Sequence, residues 1–173
     1  MGSRRRAREC ALQILVGLDW SGHAPDAAIE HYWSLFAGER PAAFEDIHQT
    51  SSRLVRGVVA HRDEIDARLV RSSHNWRLER MSVVDRNILR MAIYELEHRP
   101  ERVPWKVVLN EAIEIAKKFG SDDSSMFING VLHPIAQETL GKRGGRGGRP
   151  RSPRAVSSAK SPSGSGGADP AGS

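Results

Sequence analysis

Residues 104–132, PWKVVLNEAIEIAKKFGSDDSSMFINGVL, constrain the fold more than any other stretch. Pro104 suits the first turn of a helix, where its missing N–H has no intrahelical partner to lose. Val108, Ala112, Ile115 and Phe119 follow at spacings of four, three and four, with Leu109, Ile113 and Ala116 beside them. That is an apolar arc at the helical period. Lys106, Glu111, Glu114, Lys117 and Lys118 fill the opposite side, and the two last lysines suit the negative end of the helix dipole. Gly120 supplies a stop. Ser121 then supplies a start, as cap of a further helix with Asp122 and Asp123 in its first turn. A stop met at once by a start dictates a tight corner between two helices, with polar groups at its tip.

The rest of the chain reads as helix in the same way. A first helix spans residues 3–20 and breaks at Ser21, Gly22 and Pro25. Pro25 opens a second, with Ala28, Ile29, Tyr32, Trp33 and Phe36 on one side and Gly38 after its end. Pro41 opens a third, whose stripe is Phe44, Ile47, Leu54, Val55 and Val58, reaching to about residue 61. A fourth covers residues 62–71, and residues 74–80 read as a short turn that buries Trp76. Ser82 caps a fifth, with Val84, Ile88, Leu89, Ala92, Ile93 and Leu96 inward and Pro100 ending it. The seventh carries Phe127, Ile128, Val131, Leu132 and Ile135, with a bend expected where Pro134 fails to donate to Gly130. No segment alternates with period two. The expectation is an all-α fold of six or seven short helices.

Composition splits the chain in two. From residue 141 onward it holds no aromatic, leucine or isoleucine and is rich in Gly, Arg, Ser and Pro. Such a segment cannot bury a core, so a disordered tail is expected over 141–173 and a folded domain over 1–140. A body of that size buries roughly two-thirds of its unfolded surface. The formal charge of +5 belongs to the tail, which has seven cations against Asp169. Nineteen cations and twenty acids remain in the body, so any basic patch there is local. The obvious one is Arg4, Arg5, Arg6 and Arg8. Cys10 is the sole cysteine, so no internal disulfide forms, which suits a reducing cytoplasm. Residues 4–18 only superficially resemble a signal peptide, because Glu9 and Gln13 interrupt the apolar run and the pattern is amphipathic. No stretch is long enough to span a membrane. Arg6 stands where a myristoylation signal needs Ser or Thr.

Two spacings imitate a metal site. Glu45-x-x-His48 and Glu95-x-x-His98 each place two ligand types on one helix face, and Glu30 and Glu111 are available to complete a di-iron set. Glu45 and His48 flank the apolar stripe instead of lying on it, and His98 is in a terminal turn, so solvated charge is the simpler reading. Hydrolase, nucleotide-loop and metalloprotease signatures are missing. Asp122-Asp123 lacks the alternating acids of a calcium loop. The arginines lie at a helix start, the less favourable end of the dipole for cations, and read as a solvated terminus or as a phosphate-binding arm. Phe127 reads by default as a core residue, but Ile128, Val131, Leu132 and Ile135 complete the inward face without it, and at the edge of that face, one turn from the corner, an aromatic also suits the stacking of unpaired bases. Met126 beside it reads as a gap filler.

Three blocks, RRRAREC at residues 4–10, VDRNILRMAIYEL at 84–96, and VPWKVVLNEAIEIAKKFGSDDSSMFINGVL at 103–132, together resemble the NusB transcription antitermination factors. The resemblance covers residues 4–136, although 21–80 match mainly in helix pattern. It implies two packed helical subdomains, no catalysis and no cofactor or metal. It implies binding of boxA, a short single-stranded RNA element of ribosomal RNA leaders, together with the small-subunit ribosomal protein NusE. The pair would join RNA polymerase in a complex that resists termination. On this resemblance RNA meets Arg4, Arg5, Arg6, Arg8, Asp123 and Phe127, while Asp85 faces NusE. The protein would be a monomer or weak homodimer in the cytoplasm. Val16 and Leu18 replace aromatics found in some relatives, and Met126 replaces a basic residue. Two other readings are a detached helical RNA-binding domain of an rRNA methyltransferase and a metal-dependent helical enzyme.

Overall fold

The computed structural model describes residues 2–36, 43–72, 77–98 and 103–144. Seven α-helices occupy them: α1 Ser3–Ser21, α2 Pro25–Ser34, α3 Phe44–Ala60, α4 Arg62–Ser72, α5 Val83–Ile93, α6 Trp105–Phe119 and α7 Ser124–Gly144. A 3₁₀ turn at Leu78–Arg80 precedes α5, and a π turn at Tyr94–His98 prolongs it. There is no strand among the described residues. The all-helical expectation holds, and most helix boundaries fall within a residue or two of the sequence reading. Gly38, Pro41, Trp76, Pro100 and most of the tail lie outside the described residues. The helix α7 runs to Gly144, a few residues past the compositional boundary, and passes through Pro134.

Local signals account for the ends. Gly22 closes α1 in the left-handed region (φ 64°), its N–H donating to Leu18 O at 3.1 Å. The Ser82 hydroxyl accepts from the Asp85 N–H at 3.0 Å, as expected of a cap. Pro104 sits one position earlier than anticipated, as N-cap of α6, and its carbonyl accepts from Val107 and Val108.

The helices α1, α2 and α3 pack on one another, as do α5, α6 and α7, with α4 against α5 and α7. The two groups meet where α1 lies against α5, and one apolar core runs through both. Leu12, Leu54, Ile65, Leu89, Ile128 and Leu132 are among its fully buried members. Gly57 is required by the packing of α3 on the π turn, because a Cβ there would run into the Tyr94 ring. Tyr94, Glu95 and Leu96 are all buried, so the wide turn delivers a carboxylate into the interior at Glu95.

Candidate nucleic-acid interface

The arginine arm is the first two turns of α1, and its four cations differ in kind. Arg4 is exposed. Arg6 is 46% exposed and donates to Glu9 Oε2 at 3.2 Å. Arg5, at 34% exposure, donates from Nη2 to Glu111 Oε1 at 2.7 Å and from Nε to Glu111 Oε2 at 3.1 Å. The bond and charge of Glu111 raise its pKa above the ordinary arginine value. Arg8 is turned inward and buried. Its fork donates from Nε and Nη2 to Glu95 Oε2 and Oε1 at 2.8 and 2.9 Å, and Nη1 reaches the Arg4 carbonyl at 3.3 Å. The structure therefore separates Arg8 from the exposed arm. Its donors are spent on a buried carboxylate, which is a positioning task.

Glu9 is 1% exposed, yet it takes Lys118 Nζ at 2.9 Å on both oxygens besides Arg6. Lys118 belongs to the last turn of α6, directly before the corner. The arm and the corner are thus joined through one buried carboxylate. Sequence reasoning missed Glu9 and Lys118; it set aside a metal role for Glu95 and Glu111 in favour of solvated charge, whereas Glu95 is buried and paired with Arg8, and Glu111 is paired with Arg5. A signal for Glu9 was present: it interrupts an otherwise apolar run that had to be buried.

The corner is built differently from the expected cap. Gly120 ends α6 with extended backbone (φ −89°), its N–H donating to Ala116 O at 2.8 Å. Glycine is needed there for room, since a Cβ would collide with the Ser124 side chain. Ser121 and Ser124 tie the turn together: the Ser124 hydroxyl accepts the Ser121 N–H at 2.8 Å and lies 3.0 Å from the Ser121 hydroxyl, while the Ser121 carbonyl accepts the Ser124 N–H at 3.0 Å. Asp122 and Asp123 form the turn before α7, and the Asp123 carbonyl accepts the helix N–H of Phe127 at 3.0 Å. Asp123 is exposed and Phe127 is partly buried against the edge of the core. Met126 is 72% exposed, so it fills no gap and stands in water beside Phe127.

Asp85 is elsewhere. Its neighbours Arg86 and Asn87 bond Asp19 near the end of α1, whereas the arm is at the start. Fourteen residues of helix separate Arg5 from Asp19, about 21 Å at 1.5 Å per residue. Asp85 is 8% exposed, and its buried Oδ1 accepts no hydrogen bond from the described residues. Asp19 is a hub for Arg62, Arg86, Arg90 and Asn87. Burial alone would raise its pKa, but the bonds from Asn87 and Arg86 and the charges of Arg90 and Arg62 outweigh burial and hold it below the usual carboxylate range.

Among the described residues, no group of three or more His, Cys, Asp or Glu could hold a metal ion. Glu95 is committed to Arg8, Glu45 accepts from Gln49 at 2.6 Å, and His48 stacks on Phe44. No described helix is long and apolar enough to cross a membrane.

The family model of NusB matches residues 5–137. The transcription antitermination protein NusB of Myxococcus xanthus is 48% identical over 136 residues, covering 79% of this chain and 96% of that protein. The chain belongs to the NusB family. The NusB of an Anaeromyxobacter species is 47% identical over 133 residues, covering 77% of this chain and 89% of that one. Among solved structures, T. maritima NusB superposes with a TM-score of 0.67 at 32% identity, covering 78% of this chain and 91% of its own. A crystal structure of the antitermination factors NusB and NusE in complex with dsRNA matches with a TM-score of 0.67 at 25% identity, covering 80% and 98%. Family membership agrees with the seven-helix architecture.

Proposed function

We propose that this chain is a non-catalytic transcription antitermination factor of the cytoplasm. It binds boxA-type single-stranded RNA together with NusE and acts with RNA polymerase on ribosomal RNA operons. The observation that carries this reading is the Arg6–Glu9–Lys118 linkage, which fixes the exposed arm and the Phe127 corner to one another. Arg4 and Arg6 supply phosphate contacts, Phe127 a stacking surface, and Asp123 an acceptor for base amino groups. Arg5 contributes the outer part of a guanidinium already bonded to Glu111, and Arg8 holds the helix in place. With a near-neutral body, affinity depends on these local groups and on a partner. NusE approaches at the other end of α1, where Asp85 offers a buried acceptor whose satisfaction by a partner donor adds stability. The M. xanthus relative, covered over 96% of its length, is an antitermination protein, which favours that reading over a detached methyltransferase domain. In solution the protein is a monomer or weak homodimer.

The test is a titration of the full chain, with NusE, against boxA-type RNA and a scrambled RNA of equal length. The expected result is tighter binding of boxA. Equal binding of the two would contradict the reading.

A further inference from the structure

The outer face of α1, beyond the arm, is open at two positions one turn apart. Trp20 is 80% exposed, more than any other large apolar side chain among the described residues. Gly17 lies inside the helix, and a Cβ added there would meet nothing within 4 Å. A glycine inside a helix lowers its stability. No positive φ and no close neighbour within the described chain calls for one here. Val16, four residues before Trp20, shares its row and is partly buried against the core.

Asp19 joins this face to the start of α5. It accepts from Arg86 Nη2 at 3.1 Å and Asn87 Nδ2 at 3.0 Å, and its other oxygen accepts from Arg62 at 2.7 Å. Two buried polar atoms beside this cluster have no hydrogen-bond partner among the described residues, Asp85 Oδ1 and Arg86 Nε. Their needs are opposite, one for a donor and one for an acceptor. The Arg86 side chain is 22% exposed and its Nη1 reaches the Leu78 carbonyl only at 3.4 Å, so it stands at the rim of the cluster.

An exposed indole and a partly buried valine with a rim of arginines and carboxylates have the make-up of a protein-docking surface. The two unfilled roles decide the partner's chemistry. Polypeptide backbone carries an N–H and a carbonyl in each residue, the pair that Asp85 and Arg86 lack. A phosphate strand offers acceptors and is drawn by surplus cations. In the Asp19 cluster Arg62, Arg86 and Arg90 are matched in number by Asp19, Asp66 and Asp85. Bare backbone at Gly17 lets a partner's main chain lie close against α1.

We propose that the Val16, Gly17 and Trp20 face of α1 receives an extended segment of the protein partner. Its backbone lies against Gly17, its apolar side chains pack on Trp20, and its N–H and carbonyl groups meet Asp85 and Arg86. The proposal rests on the reading that NusE meets this end of α1, and it names the anchor and the form of the segment that docks there.

The experiment titrates NusE into the full chain by calorimetry, comparing wild type, Trp20→Ala, Gly17→Gln and Asp85→Lys, with a thermal melt of each. Both α1 positions are open, so Trp20→Ala should melt near wild type and Gly17→Gln at or above it. Trp20→Ala is expected to lose about tenfold or more in NusE affinity. Gly17→Gln, whose new side chain blocks the close approach, should lose a similar amount. RNA binding by the isolated chain should be unchanged in both. Wild-type NusE affinity in both α1 variants, while Asp85→Lys loses it, would overturn the α1 face and leave the Asp85 reading intact. Loss in both α1 variants with normal affinity in Asp85→Lys would support the face and remove Asp85 from it. A wild-type chain that does not bind NusE would overturn the partner reading and the proposal together. Two other occupants have their own signatures. Trp20→Ala that weakens RNA binding by the isolated chain and leaves NusE binding unchanged would give the face to RNA. A wild-type dimer in sedimentation that Trp20→Ala splits, again with NusE binding unchanged, would give it to a second copy. Either result overturns the proposal.

Discussion

Replacing Arg8 with alanine tests the division of labour within the arm. Arg8 and Glu95 are 5% and 3% exposed, and the fork closes at 2.8 and 2.9 Å. The substitution removes two charge-assisted bonds from a carboxylate that the π turn holds inside the protein. It also removes the reach to the Arg4 carbonyl and the more distant attraction to Glu111 at 3.8 Å. Breaking a buried pair from one side costs about 3–5 kcal/mol. At this chain size that is a fall in melting temperature of about 10–20 °C. Urea denaturation followed by circular dichroism measures it. The double variant Arg8→Met, Glu95→Leu removes both charges together and should recover most of the loss. Because Arg8 is a positioning residue, that double variant should also keep the wild-type salt dependence of RNA binding. A loss under about 1 kcal/mol for Arg8→Ala would refute the buried-pair argument. A drop of about 0.7 in the salt slope of the double variant would show that Arg8 meets phosphate after all.

Other outcomes follow from the same geometry. Asp85→Lys should impair NusE capture in a pull-down while leaving RNA binding by the isolated chain near wild type, and normal capture would remove Asp85 from that surface. Gly57→Ala should destabilise by about 1–3 kcal/mol in urea melts, because the buried Tyr94 ring occupies the space of the new methyl group. Asp19 has a lowered folded pKa, so its stabilisation is full above the ordinary carboxylate value of about 4 and is lost as pH falls through the lower folded value. Urea midpoints taken from about pH 5 down to about pH 2 should therefore fall less steeply in Asp19→Asn than in wild type, and parallel curves would contradict the assignment.

Periodicity made the helices legible because each buries a stripe: Ile65 and Leu69 placed α4, and Val108, Ala112 and Ile115 placed α6. Ser82 was legible as a cap because its chemistry is local. What stayed hidden depended on residues distant in sequence. Ser121 was legible as a turn residue, but its bonds to Ser124 and the close approach of Ser124 to Gly120 come from how the corner closes. Arg8 shares a helix row with buried Ala11 and Leu15, but only Glu95, 87 residues away, explains how a cation can enter the core there. The Glu-x-x-His spacings were real and their destinations were not visible: Glu95 serves an arginine and His48 an aromatic cluster. Met126 was misjudged because a methionine beside a phenylalanine looks like packing, whereas the short turn before α7 points it into water. The RNA-facing residues were reached through the NusB resemblance, since arginines at a helix start do not by themselves distinguish a phosphate site from a solvated end.

The central claim is that the arm and the corner act as one RNA-binding face. It is tested most directly by titrating labelled boxA-type RNA into the NusE complex of wild type, Arg4→Ala/Arg6→Ala, Phe127→Ala and the triple variant. Phe127→Ala alone should weaken binding by about 1–3 kcal/mol at unchanged helicity. The arginine pair should lower the salt slope by about 1.4, and the triple variant should lose both contributions. Wild-type affinity and slope in the triple variant would contradict the account.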